Sequence, residues 1–152
     1  VGVLAAPEAY DAAREARAEE RARELLRSCV NAEEWATYEA HGLIRVYRQA
    51  NRSPTGPASG STTTYAYLIY PHKPIVAYVV ESARLLGEYC VAFGSPRLPP
   101  SDDVLAKWLA LTGDERGLLA SASVHPVGRQ IDPERVRRDL ARLALWQEKS
   151  GR

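Results

Sequence analysis

Residues 65–80 read YAYLIYPHKPIVAYVV, and this stretch decides the fold. Two runs of β-branched and aromatic residues, Tyr65–Tyr70 and Ile75–Val80, flank the short link Pro71-His72-Lys73-Pro74. Such runs favour strands, and a proline-bearing link this short joins antiparallel neighbours. The stretch therefore predicts an antiparallel hairpin. Upstream, Leu43–Arg48 alternates, with Ile44 and Val46 on one face and Arg45 and Tyr47 on the other. Between it and the hairpin lies NRSPTGPASGSTT, residues 51–63, a polar loop longer than most connections in a compact domain. Downstream, the tight link Glu81–Arg84 leads into a fourth strand over Leu85–Phe93. The short links leave no room for a crossover helix, so this is a meander and not a βαβ unit.

On either side the hydrophobic period changes from strand to helix. Pro7 to Val30 is rich in Ala, Glu, Arg and Leu, and Ala18, Ala22, Leu25, Leu26 and Cys29 form a helical stripe. Glu19–Arg23 and Glu24–Arg27 have the spacing of helical ion pairs. The first half of this helix has Tyr10 as its large apolar group, which makes it a solvated arm or a partner-facing one. A second short helix opens with Asn31 as cap and Glu34 three positions on, turns Trp35 and Tyr38 inward, and ends at Gly42. Beyond Leu98-Pro99-Pro100, Ser101 is expected to cap a helix through Leu111, with Asp102 and Asp103 in its first turn complementing the helix dipole. Gly113-Asp114 leads to a short helix carrying Leu118 and Leu119 inward. Asp132 and Pro133 open a last helix whose inward stripe is Val136, Leu140, Leu143 and Trp146 or Ala144.

Together these elements predict one α+β domain over residues 1–152. A helical arm and helix occupy 1–41, an antiparallel sheet of three or four strands occupies 42–93, and helices occupy 98–152. The N-terminal and C-terminal helices pack against the sheet. The core is expected to hold Leu25, Leu26, Trp35, Ile44, Val46, Leu68, Ile75, Val79, Cys90, Leu105, Trp108, Leu109, Leu140 and Leu143.

A chain of 152 residues with 45% apolar and 26% charged residues has the composition of a soluble globular protein. No apolar run approaches the roughly 20 residues that span a bilayer, and no signal-peptide pattern is present. We therefore expect a cytoplasmic protein with no membrane partner. Its net charge of +1 exerts no overall pull toward nucleic acid or acidic lipid. That total hides a segregation. Residues 1–41 carry nine acids against five arginines, whereas residues 42–100 carry six bases against two acids. Two cysteines, Cys29 and Cys90, exclude a disulfide framework and a four-cysteine zinc site.

Candidate chemistry is sparse. His72 lies in the hairpin turn, where it is either an exposed base on a stiff tip or a turn residue chosen for polarity. His41 ends a helix, where a charged imidazole would complement the dipole. Cys90 is a candidate nucleophile on a strand, but a thiolate needs a base or a positive environment, and none stands beside it in sequence. The acid pairs Asp102-Asp103 and Asp114-Glu115 sit at helix starts, where capping accounts for them. No metal-ligand spacing, phosphate loop or nucleophile elbow occurs, so no cofactor or metal site is expected. Tyr47, Tyr65, Tyr67, Tyr70, Tyr78 and Tyr89 fall on predicted strands near Arg45, Arg48 and Lys73. Gathered on one face, they would make a surface able to stack bases and neutralise phosphates. Cross-strand packing is the competing role for the same rings.

The later strings resemble a known group. Tyr89-Cys90-Val91, Leu98-Pro99, then Asp103-Val104-Leu105-Ala106-Lys107-Trp108-Leu109-Ala110-Leu111, Asp114-Glu115, Leu118 and Ala122 follow its pattern, as do Leu25-Leu26 and Glu33-Glu34-Trp35. The chain here resembles, over residues 22–123, a scattered group of small proteins encoded by GC-rich, actinobacteria-like genomes and their mobile elements or phages. That group has no assigned activity and brings no catalytic residue with it; an accessory or structural role in a mobile element or phage is among the expectations. This chain has Ala122-Ser123 where the group often has Ala-Asn.

The expected function is a non-catalytic protein–protein interaction or self-assembly module. Its candidate surface comprises Tyr10, Arg45, Tyr47, Arg48, Tyr65, Tyr67, His72, Lys73, Arg138 and Arg142. A protein partner or a homo-oligomer is expected. The alternatives are a nucleic-acid-binding protein using the Tyr/Arg sheet face and a hydrolase-like enzyme using Cys90 or His72.

Overall fold

The hairpin at 65–80 becomes the centre of a five-stranded antiparallel sheet in a computed structural model that describes residues 7–50, 63–91 and 97–151. Helices α1 (Pro7–Cys29) and α2 (Ala32–His41) precede β1 (Ile44–Ala50), β2 (Thr63–Ile69), β3 (Ile75–Val79) and β4 (Leu85–Cys90). Then come α3 (Pro100–Gly113), α4 (Glu115–Ser121), the short β5 (Ser123–His125) and α5 (Pro133–Ser150). The spatial order is β1-β2-β3-β4-β5, the meander expected from the short links. The sheet has five strands where three or four were expected. The fifth is three residues long and pairs Ser123 with Cys90 and His125 with Glu88, a register that exists only once α4 has turned the chain back. The expected loop at 51–63 lies outside the described residues up to position 62, as does the expected end of the fourth strand at 92–93.

Both faces of the sheet are covered. Ile44, Val46, Tyr67, Ile69, Ile75 and Ala77 pack with Leu26, Tyr38, Val104, Leu105, Leu111 and Leu118 of α1–α4. Ala66, Leu68, Tyr70, Val76 and Tyr78 point the other way and pack with Ile131, Val136 and Leu143 around α5. Strand side chains alternate between faces, so a sheet buried on both sides needs a near-continuous apolar run. Residues 66–70 and 75–78 are that run, each buried. Two expected core residues are corrected. Leu25 and Leu109 are half exposed, at 52% and 51%, because each lies beside its helix's buried stripe, which Leu26 and Leu105 occupy. Cys90 and Val79 are half-buried.

Helix ends follow the sequence in three places and depart from it in one. Asn31 and Glu34 form a reciprocal capping box, Gly42 closes α2 at φ 74°, and Asp132 caps α5 ahead of Pro133. The start of α3 differs: its cap position is Pro99, and Ser101 sits inside the helix. There the Glu19 carboxylate of α1 accepts from Ser101 N–H (2.8 Å) and from its hydroxyl (2.6 Å). With the Ser101 proton committed to Glu19, the Tyr38 hydroxyl is the donor in its 2.8 Å bond to Ser101 Oγ. Glu19 thus serves a distant helix and not its expected partner Arg23. The Arg23 guanidinium lies over the rings of Trp35 (5.2 Å) and Tyr38 (5.5 Å).

The β2–β3 turn is held from below by α3. Lys107 Nζ donates to the carbonyls of Tyr70 (3.1 Å) and Lys73 (2.7 Å) and to Asp103 Oδ2 (2.6 Å). Asp103 Oδ2 also accepts the backbone N–H of His72 at 2.7 Å. His72 stands at φ 57°, a left-handed conformation unfavourable for a side chain with a Cβ, and this bond holds it there. Removing one partner of a buried ion pair leaves a buried charge uncompensated. Asp103→Ala is therefore expected to cost about 3–5 kcal/mol of stability in urea unfolding. The double variant Asp103→Ala/Lys107→Met should recover much of that loss, and a double variant as unstable as the single would refute this account.

Candidate functional site

The sheet has two edges, and β1 is the longer. It pairs with β2 from Ile44↔Ile69 to Ala50↔Thr63 and, among the described residues, with no other strand. Along its free side runs a groove of about 470 Å³, lined by Arg45, Val46, Tyr47 and Arg48. Four consecutive strand residues on one groove mean that the groove follows the strand's edge, because a groove on one face would meet only alternate residues. Its other wall is the α1–α2 junction with Cys29, Val30 and Asn31, the α2 residues Glu33, Glu34 and Thr37, and Trp108 and Thr112 of α3. Glu34 fixes this wall: it accepts from Asn31 N–H (3.0 Å) and from Trp108 Nε1 (3.1 Å), tying α2 to α3.

The tyrosines divide between the two faces of the sheet. Tyr65, Tyr67 and Tyr89 point toward α1–α4 and contact edge to face, at 5.6 Å and 6.4 Å between ring centres. The Tyr65 hydroxyl donates to Glu115 at 3.0 Å, and Arg48 Nε lies 3.6 Å from the same carboxylate. Tyr67 is only 2% exposed, which removes it from any docking surface, and burial first and then Glu115 push its phenol far up. Tyr70 and Tyr78 are buried on the α5 side, where the Tyr70 hydroxyl donates to Asp139 at 2.8 Å. Tyr47 keeps 45% of its surface. The single aromatic face expected from sequence is thus corrected: period-two alternation sends odd and even positions of each strand apart.

Of the other expected surface residues, Arg45 lies over the Tyr47 ring at 4.9 Å and reaches the Tyr78 hydroxyl at 3.4 Å. Arg138 and Arg142 are exposed on α5, and Arg142 lies 3.6 Å from Asp139. His72 and Lys73 are exposed on the β2–β3 turn, where the backbone of each is bound by the Asp103–Lys107 pair. The Tyr10 side chain lies outside the described residues; its helix continues through positions 11–17, all exposed.

Of the two candidate catalytic groups, Cys90 is engaged by a neighbour and His72 stays exposed on its turn. Cys90 Sγ receives Gln130 Nε2 at 3.0 Å, and burial followed by the Glu88 charge pushes the thiol up. That favours the protonated, less nucleophilic form. Glu88 is fully buried and accepts the N–H groups of Gln130 (2.9 Å) and Ile131 (3.3 Å), so it anchors the approach to α5. His125 Nδ1 faces Arg129 Nη1 at 3.1 Å, which makes that nitrogen the acceptor and leaves the ring proton on Nε2. His72 Nδ1 lies 3.9 Å from Asp103 Oδ1. Comparisons with protein-family models, curated proteins and solved structures returned no match to this chain. No described helix is long and apolar enough to cross a membrane, and no described cluster of His, Cys, Asp and Glu has the form of a metal site.

His41 links the groove side to α5. Its ring meets Trp146 edge-on at 5.0 Å. Burial, then Arg142, lower its pKa; Asp139 opposes them and Arg45 adds to them. The imidazole is therefore a packing group more than the charged cap expected from its helix end. The unfolded chain takes up this proton first, so the stability linked to His41 is fully present above the unfolded value of about 6.5 and declines as pH falls through the lower folded value. Urea midpoints measured across that range should show the decline, and His41→Phe should flatten it; an unchanged slope would contradict the assignment. Thiol accessibility gives a second check. Iodoacetamide should modify exposed Cys29 well before Cys90, and equal rates would show Cys90 to be reactive.

Proposed function

We propose that this protein is a non-catalytic interaction module that takes up an extended segment of another polypeptide along the free edge of β1. The observation carrying this reading is the groove lined by four consecutive β1 residues, opposite a wall fixed by the Asn31–Glu34–Trp108 bonds. An open strand edge presents unpaired N–H and C=O groups about 4.8 Å from where a sixth strand would lie. Main-chain bonds of this kind supply affinity, and flanking pockets select side chains. The engagement of Cys90 by Gln130 and of Lys107 by the β2–β3 turn supports a binding role over a hydrolytic one. The nucleic-acid reading loses its platform because the tyrosines divide between faces and Tyr67, Tyr70 and Tyr78 are buried.

The test is selection of random linear peptides against the folded protein, followed by amide hydrogen exchange on the β1 backbone. Selected peptides should slow exchange across Ile44–Ala50. Thr112→Trp, which fills the groove from an exposed helix position, should weaken them by about tenfold or more, roughly 1.4 kcal/mol, with the melting temperature unchanged. Peptides that protect another element, or that ignore the filled groove, would sink the proposal.

A further inference from the structure

The two sides of the β1 edge are chemically unlike, and that difference specifies an occupant. On the α2–α3 side the groove offers the half-buried Val30 and Trp108 as apolar surface. The groups named on that side carry more acid than base: Arg48 lies 3.6 Å from Glu115, and the wall itself adds Glu33 and Glu34. On the α5 side the balance is positive. Arg45 makes no ion pair among the described residues; its guanidinium rests over Tyr47 and touches the Tyr78 hydroxyl. Arg45 lies opposite Leu68 on the sheet face that α5 covers, and Arg138 and Arg142 are exposed one turn apart on α5. The carboxylate in that neighbourhood is Asp139, which Arg142 (3.6 Å), Arg135 (3.9 Å) and the Tyr70 hydroxyl (2.8 Å) already share.

We propose that the segment taken up along β1 alternates acidic and apolar residues, its carboxylates turned toward Arg45 and the exposed arginines of α5 and its apolar side chains toward Val30 and Trp108. This rests on the docking reading above and adds the chemistry of the occupant. A strand sends successive side chains to opposite faces, so one with acids at every second position meets the basic side with all of them at once. A second copy of this chain is a poorer occupant. Its β1 carries Arg45 and Arg48, and pairing two such edges sets like charges across the new ladder. Rim charges of this sort act chiefly on discrimination and on salt-sensitive encounter.

The experiment uses the full chain and fluorescein-labelled peptides: an acetylated heptapeptide alternating valine and glutamate, the same peptide with lysine for glutamate, and a single-stranded oligothymidylate as competitor. Anisotropy is read at low and high salt, with amide exchange on β1 followed in parallel. The glutamate peptide should bind about tenfold tighter than the lysine peptide at low salt, with the margin shrinking as salt rises. Arg45→Gln should remove most of that margin and Arg45→Glu should reverse it, both with the wild-type circular dichroism spectrum. If both peptides protect β1 equally, the docking reading stands and the acidic occupant falls. If neither protects β1, both fall. Displacement of the glutamate peptide by the oligothymidylate, through Arg45 and with steep salt dependence, would overturn the proposal in favour of nucleic acid.

Discussion

The turn between β2 and β3 depends on one buried lysine. Lys107 places an ammonium beneath the turn, with its side chain 4% exposed, and its contacts are the carbonyls of Tyr70 and Lys73 and the Asp103 carboxylate. Those carbonyls belong to the turn that ends β2 and starts β3, so the docking of α3 and the closing of the hairpin share the same contacts. The cost of desolvating two charges is offset because each finds further partners; Asp103 also binds the His72 amide. Such a pair contributes specificity of arrangement more than net stability. Here it aligns the helical layer of α1–α4 with the central strands.

With the central strands covered on both faces, function is confined to edges and helix surfaces. Polar groups that join separate elements reinforce this. Glu19 serves the start of α3, Glu34 joins α2 to Trp108, and Glu88 anchors the approach to α5. Each is a carboxylate that accepts at least one backbone N–H from its own or another element. What stays open is the outer side of β1, walled by α2 and α3.

Much of the architecture was legible in the residues. Alternation and short links identified the meander, and the capping box at Asn31–Glu34 and the Asp132-Pro133 start followed from side-chain chemistry alone. Less of the site was legible. Arg45, Tyr47 and Arg48 were identified, but as members of a tyrosine face that alternation divides, with Tyr67 buried. Trp108 and Thr112 belong to the groove although they lie some sixty residues from β1. The Asp103–Lys107 spacing reads as an ordinary exposed helical pair, since nothing local reports that a turn will sit on it. Leu25 and Leu109 carry the same apolar signal as Leu26 and Leu105, and only helix orientation separates buried from exposed.

By itself the sequence determined which segments form the first four strands and the helices, where most helices begin and end, and that adjacent strands run antiparallel. These are consequences of local sterics, side-chain periodicity and link length. Tertiary structure alone decided which helix covers which face, that Ser123–His125 becomes a fifth strand, that Glu19 serves α3 and not Arg23, and that β1 keeps a free edge. Each of these depends on where distant segments come to rest, and burial and desolvation, which choose among otherwise equivalent polar and apolar groups, act only after the layers have met.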